Sequence, residues 1–326
     1  MLKRIMVPLD GSLLAESALE VAARIAHASD GTILLLQVIG TPGTLTPYMY
    51  SSDMAQSPQL AHDMIEMEQE KAETYLAEIA RLTILAGIQV EAKIIAGSAG
   101  MSLVDAAKEE KVDLIVMSSH GETGFKRFVL GSVAQHVARH SSVPVLVLRG
   151  DEAAPLSASP DPKHLSHAIT ALVALDGSKL AEASLEPAAY LVAALAAPTQ
   201  GTLLLNTVAN KQADRAKHGS EEFMRDEAKK YLIGISERLK GSDIGKLNLA
   251  IEWSIEESKD VANALIEVAE SGKASESSYE FTGCDLMAIA THGRGGLQRL
   301  MAGSVTEDVL GSTNLPMLIV RPRIEK

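Results

Sequence analysis

The sequence predicts an α/β protein of two repeated doubly wound domains, each a parallel sheet with helices on both faces. Three observations predict it. Short, continuously apolar runs alternate with segments of helical period, the pattern of strands buried on both faces. The whole programme occurs twice in the same order within 326 residues. A stretch with three prolines and little apolar content separates the copies. These give a first domain over 1–150, a linker over 151–167 and a second domain over 168–326.

Residues 5–9 (IMVPL) read as a buried strand that ends at Asp10-Gly11-Ser12, with Ser12 as a helix N-cap. Ala18, Val21, Ala22 and Ile25 recur at helical spacing, and Asp30-Gly31 stops that helix. Residues 32–38 (TILLLQV) form the second strand, followed by a loop over 40–58 rich in Pro, Gly, Ser and Thr. A helix over 59–86 ends at Gly87. A third strand (90–94), a short helix (101–110) and a fourth strand (114–117) follow. A helix over 133–140 leads to the fifth strand, 145–148, entered through Pro144.

The second half repeats four blocks. Val173-Ala174-Leu175-Asp176-Gly177-Ser178 matches Val7-Pro8-Leu9-Asp10-Gly11-Ser12, and the run from Gly201 matches the run from Gly31. Cys284-Asp285-Leu286 matches Val112-Asp113-Leu114, and the run from Leu315 to Arg321 matches that from Val143 to Arg149. Residues 271–283 (SGKASESSYEFTG) are a polar insertion peculiar to the second copy, expected to be a mobile surface loop.

Apolar residues make up 46% of the chain and charged residues 22%, which fits a packed core rather than disorder. Net charge is −12, with −5 in the first 150 residues and −7 in the rest. Neither half is basic, which argues against nucleic acid as the main partner. The single cysteine, Cys284, cannot form an internal disulfide and reads as a buried thiol of a reducing compartment. The longest apolar run, 188–197, is too short to span a bilayer, and the start of the chain does not read as a secretory signal. The expectation is a cytoplasmic protein without a membrane partner.

Chemistry concentrates at two places in each half: an aspartate after the first strand, and a glycine-bearing loop after the fourth. The loops read SSHGETGFKRFVLGS (118–132) and ATHGRGGLQRLMAGS (290–304). Both keep a glycine, nine residues, then Gly-Ser: Gly121 to Gly131-Ser132, and Gly293 to Gly303-Ser304. Glycine lets backbone approach a ligand and tolerates positive φ, and free N–H groups at a helix start attract phosphate.

By these motifs both halves resemble the universal stress protein family, and the chain is similar to its tandem members. The family pattern is Gly, two residues, Gly, nine residues, Gly-Ser or Gly-Thr. Ser118 and Ala290 hold the place of the first glycine, both small enough for close backbone approach. The resemblance implies a five-stranded sheet of order 3-2-1-4-5 in each half. It implies ATP, with or without a divalent metal ion, in a stress-response or regulatory protein. Asp10 and the backbone of Val38 would address adenine, and Gly121, Gly131, Ser132 and Val133 the phosphates. The matching positions are Asp176, Val208, Gly293, Gly303, Ser304 and Val305. It also implies that the halves pair through strand five as an internal pseudo-dimer, leaving room for a homodimer of chains.

Other readings stay open. Ser132-x-x-Gln135 and Ser304-x-x-Glu307 fit a capping box, which would make each serine a helix cap. Asp10 and Asp176 could simply favour a helix start. His136 and His140 read as surface residues, and the glutamates at 66, 68, 70, 73 and 78 as a solvated helix face. His120 and His292 read as turn residues, since no metal-ligand spacing surrounds them. No P-loop, H-E-x-x-H or Ser-His-Asp arrangement stands out, so no dedicated catalytic centre is expected. The rivals are a nucleotide hydrolase or adenylyl-transfer enzyme on the same fold, and an interaction module that binds no nucleotide. Thr306 adds a hydroxyl where the first half has Ala134, and Arg294 follows Gly293 where the first half has Glu122. On those grounds the second half is expected to bind ATP at least as tightly as the first.

Overall fold

The structure is a computed structural model that describes residues 2–40, 58–119, 130–149, 156, 169–209, 221–291 and 304–322. The first half contributes β1 (Arg4–Leu9), β2 (Thr32–Ile39), β3 (Gln89–Ala96), β4 (Leu114–Ser118) and β5 (Val145–Leu148). The second contributes β6 (Thr170–Leu175), β7 (Gly201–Ala209), β8 (Leu249–Glu257), β9 (Glu276–Ser277), β10 (Leu286–Ala290) and β11 (Met317–Val320). They form one sheet of order β3-β2-β1-β4-β5-β11-β10-β6-β7-β8-β9. Within each half the order is 3-2-1-4-5 and the five main strands are parallel.

The halves meet where β5 and β11 run antiparallel, with Leu318 opposite Leu146 and Met317 opposite Val147. Strand-five pairing is therefore the internal joint. Arginines reinforce it from both sides: Arg149 donates to the Leu310 carbonyl, Arg321 to the His140 carbonyl at 3.1 Å, and Arg139 to Glu307 at 2.7 Å. Leu156, the one described residue of the linker, is fully buried, and Arg24 donates to its carbonyl at 3.2 Å.

Helices α1 (Leu13–Glu16), α2 (Ala18–Ser29), α3 (Pro58–Ile79), α4 (Ala99–Glu109) and α5 (Ser132–His140) belong to the first half. Helices α6 (Leu185–Ala196), α7 (Glu221–Lys240), α8 (Val261–Ser271) and α9 (Ser304–Ser312) belong to the second. Residues of α2, α3, α6 and α7 pack into the core on one face of the sheet, and those of α4, α5, α8 and α9 into the core on the other. Each core runs through both halves. The central strands β4, β5, β6 and β10 are buried throughout, which is why they read as unbroken apolar runs, whereas the outer β3 and β8 are largely part-exposed.

The Asp113 and Asp285 blocks repeat for a structural reason. Asp113 Oδ2 accepts from the N–H groups of Lys3 and Arg4 at 2.8 and 2.9 Å, and Asp285 Oδ2 from Thr170 N–H at 2.7 Å. Each carboxylate satisfies main-chain donors where the first strand of its half begins, at the sheet end opposite the glycine loops.

Three expectations need correction. Helix α3 stops at Ile79 and gives way to a short 3-10 turn over Thr83–Leu85, although apolar residues continue in register through Leu85. Its glutamates are exposed, as expected. The polar insertion at 271–283 is structured: Glu276–Ser277 pairs antiparallel with Ser254 and Ile255, and Trp253 N–H donates to Ser278 Oγ at 2.8 Å. It covers the outer edge of β8, a common way to blunt an exposed strand. His136 and His140 are half-buried rather than free surface residues. Their rings stack at 4.2 Å, and His140 Nδ1 bonds to the His136 carbonyl at 2.9 Å. Gly100 on α4 leaves no room for a Cβ against the His136 ring.

Burial, and secondarily the neighbouring His140, pushes the His136 pKa below the usual imidazole value. The unfolded chain then binds this proton more readily than the folded one. Stability contributed by the neutral ring is complete above the unfolded value and falls as pH drops through it. The melting temperature should therefore drop between about pH 7.5 and about pH 5.5. In His136→Gln that drop should be smaller, and an identical pH dependence in the two proteins would contradict the assignment.

The 40–58 loop lies outside the described residues except for its two ends, as does the linker apart from Leu156. Cys284 is buried, and burial raises its thiol pKa, so it is inert at neutral pH. Among the described residues no helix is long and apolar enough to cross a membrane.

Candidate functional site

In each half the first and fourth strands lie side by side. The chain leaves β1 for α2 on one face and β4 for α5 on the other. That divergence opens a crevice at the carboxyl ends of the strands, where ligands of doubly wound sheets sit. The second half repeats it, with β6 leading to α6 and β10 to α9.

On one wall is the Asp-Gly-Ser turn. Asp10 Oδ1 accepts from Ser12 N–H at 3.1 Å and from Ser12 Oγ at 2.6 Å, and Ser12 Oγ accepts from Ala15 N–H at 3.1 Å. Asp176 and Ser178 repeat the relay at 2.9, 2.6 and 3.1 Å, the last to Ala181 N–H. Gly11 and Gly177 sit at φ +86 and +81, a left-handed geometry that strains an L-residue. Ser12 is the N-cap, as expected. The aspartates bind the cap residue rather than the helix itself, so one oxygen of each is fixed in the turn.

Next to this turn are Val38 and Val208. The pairing of β1 with β2 ends at Leu9 opposite Gln37, and that of β6 with β7 at Leu175 opposite Thr207. Val38 and Val208 are thus the first residues of their strands beyond the neighbour's last pair. Their backbone borders the crevice.

The opposite wall is the end of the glycine loop. Ser118 and Ala290 are the buried last residues of β4 and β10. Ser119 N–H bonds to the Leu148 carbonyl at 2.8 Å and Thr291 N–H to the Val320 carbonyl at 2.9 Å. Gly131 N–H donates back to the Ser119 carbonyl at 2.8 Å, which closes the neck of the first loop. Gly121, Gly293 and Gly303 lie outside the described residues, with His120, His292 and Arg294.

The helix starts differ from the capping-box expectation. The N-cap of α5 is Gly131, with no side-chain cap, and its carbonyl takes the first helical bond from Gln135 N–H at 2.9 Å. Ser132 is the exposed first residue of the helix, and Ser304 is the exposed first residue of α9. A serine there is not needed to satisfy its own helix. The N–H groups of Ser132, Val133 and Ala134 have no acceptor within the helix, and the dipole adds positive potential. Gly131 has φ −59 and ψ 153, so positive φ is not the reason for glycine there. Glu307 Oε1 is ion-paired with Arg139 across the joint at 2.7 Å.

Thr306 corrects a further expectation. It is buried, and its hydroxyl donates to the Ala290 carbonyl at 3.2 Å, tying α9 to the end of β10. That removes one ground for tighter binding by the second half, and Arg294, the other, is not described. Val133 and Val305 are half-buried beside the two serines. Among the described residues no group of three or more His, Cys, Asp or Glu side chains could hold a metal ion.

Sequence reasoning missed two pairs at the aspartate wall. Tyr75 donates to Glu16 Oε1 at 3.0 Å, and Tyr231 to Glu182 Oε1 at 3.4 Å. The signal was present: Asp-Gly-Ser-x-Leu-Ala-Glu begins at Asp10 and at Asp176, and Ala-x-x-Tyr-Leu at Ala72 and at Ala228.

Two doubly wound repeats joined edge to edge, each with an aspartate turn facing an uncapped or serine-led helix start, define a tandem crevice-bearing α/β protein. The chain belongs to the universal stress protein family, whose sequence model matches residues 1–149 and 170–321. A universal stress protein of Mycolicibacterium smegmatis is 27% identical over 324 residues, covering 98% of this chain and 97% of its own. Universal stress protein YxiE of Bacillus subtilis is 30% identical over 154 residues, 46% of this chain and all of its own. The crystal structure of a universal stress protein from Archaeoglobus fulgidus matches with a TM-score of 0.65 at 23% identity, over 98% of both chains. That likeness establishes the fold.

Proposed function

We propose that each crevice is built to bind adenine nucleotide, ATP, and that the chain is a stress-response regulator of the cytoplasm without a dedicated catalytic centre. The observation that carries the reading is the start of α5. A helix N-terminus with no side-chain cap, led by a glycine, follows a loop whose neck is closed by the Gly131–Ser119 bond. Three N–H groups then remain for an anion. Gly131, Ser132 and Val133 would take the phosphates, with Gly121 from the loop. Asp10 and the Val38 backbone would take the base, since both border the same crevice. Ser118 sits at the floor. In the second half Gly293, Gly303, Ser304 and Val305 would hold phosphate and Asp176 and Val208 the base, with Ala290 at the floor. ATP carries its own divalent ion as substrate companion, and the N–H donors need no metal of the protein.

Ser132→Ala/Ser304→Ala tests the phosphate assignment. Both serines are the exposed first residues of their helices, so the unliganded protein should lose no more than about 0.5 kcal/mol. A hydroxyl bonded to a charged phosphate contributes more, and ATP affinity should fall about tenfold. The stabilisation by saturating ATP should shrink accordingly. Melting curves with and without ATP decide it, and an equal ATP shift in both proteins would refute the role of the serines.

A further inference from the structure

Each Asp-Gly-Ser turn is clasped by the long helix beside it. Tyr75 on α3 donates to Glu16 on α1 at 3.0 Å, and Glu16 N–H donates at 3.1 Å to the carbonyl of Ser12, the residue that holds Asp10. Tyr231 on α7 donates to Glu182 at 3.4 Å, and Arg238 on the same helix also holds that carboxylate. Both tyrosines are half-buried against the apolar core, so their rings are fixed by packing. Burial, then the nearby Glu16 and Asp10, raises the Tyr75 pKa; burial, then Glu182 and Asp176, raises that of Tyr231. Both phenols therefore keep their protons and act as donors.

The arrangement is built twice, from helices that share Ala-x-x-Tyr-Leu and differ at most other positions. Helix α3 reads PQLAHDMIEMEQEKAETYLAEI and α7 reads EEFMRDEAKKYLIGISERLK. Each nevertheless presents tyrosine to the glutamate six residues after the crevice aspartate. A tyrosine that only stapled a helix to the core would not need a hydroxyl or a carboxylate partner. The glutamate it holds is tied to the turn in both halves: Glu16 N–H donates to the Ser12 carbonyl at 3.1 Å and Glu182 N–H to the Ser178 carbonyl at 3.2 Å. Ser12 and Ser178 in turn hold Asp10 and Asp176, so the phenol acts on each aspartate through the glutamate and the serine.

We propose that Tyr75 with Glu16, and Tyr231 with Glu182, are positioning residues that set Asp10 and Asp176 to select the base of the bound nucleotide. The proposal rests on the nucleotide reading above. Adenine presents an amino donor at its 6-position, and hypoxanthine presents a carbonyl acceptor there. A carboxylate held in place accepts from the first and repels the second. One allowed to swing discriminates less. Removing the phenol hydroxyl leaves packing intact and releases Glu16 and Glu182, which loosens the helix starts that Ser12 and Ser178 anchor.

The test uses the full chain, Tyr75→Phe/Tyr231→Phe beside wild type, titrated with ATP and with inosine triphosphate. ATP affinity should fall about tenfold while inosine triphosphate affinity stays within about twofold, so that the preference shrinks. Amide exchange of the unliganded double variant should be faster at Gly11 and Ser12, with the core strands unchanged. Equal weakening of both nucleotides would mean a merely structural role and overturn the proposal, as would unchanged ATP affinity. A wild type that binds neither nucleotide would overturn the functional reading and base selection with it. The exchange rates at Gly11 and Ser12 would then report separately whether the clasp holds the turn.

Discussion

Gly131→Val is expected to weaken ATP binding by the first half at least about a hundredfold, roughly 2.8 kcal/mol. The backbone at this position, φ −59 and ψ 153, is open to valine, so the chain should still fold. What fails is approach. Gly131 is the N-cap of α5, and its neighbours Ser132, Val133 and Ala134 offer the N–H groups that would meet phosphate. A branched side chain at the cap stands over those donors and cannot rotate away freely. Calorimetric titration of the variant should show one binding event fewer than wild type. Unchanged stoichiometry and affinity would remove the glycine from the site.

Leu146→Ala should destabilise the whole chain by about 2–5 kcal/mol. Leu146 is fully buried in β5 and lies opposite Leu318, which is 1% exposed, at the antiparallel joint of the two halves. Truncation leaves a cavity where both halves share one core, and neither can close it alone. The polar contacts of the joint, such as Arg139–Glu307, are partly exposed and contribute less. Urea denaturation measures the loss, and a change below about 1 kcal/mol would mean that the joint is not a packed interior.

The strands were legible because a parallel sheet covered on both faces demands unbroken apolar runs, and 114–117 and 145–148 supply them. Strand order and pairing through strand five came from the family resemblance, since no run of residues states its own neighbour. The end of α3 was misread because Leu82 and Leu85 continue the apolar period after the helix has turned to 3-10. Strand β9 is invisible in sequence because its two residues are held by backbone pairing to β8 and by the Ser277 hydroxyl, which leave no periodicity. Ser132 was open to a capping-box reading because S-x-x-Q spacing cannot tell a cap from the residue one step inside. Thr306 reads as a ligand donor in sequence because its hydroxyl is visible there and its burial is not. The Tyr75–Glu16 clasp joins residues 59 positions apart, a distance only the two repeats could have flagged.

The central claim is that the crevices hold adenine nucleotide without consuming it. Calorimetric titration of the full-length chain with ATP, with the recovered nucleotide identified by mass spectrometry, tests it most directly. The account predicts saturable heat and recovery of intact ATP. No heat up to about millimolar ATP, or recovery as ADP after a short incubation, would contradict it.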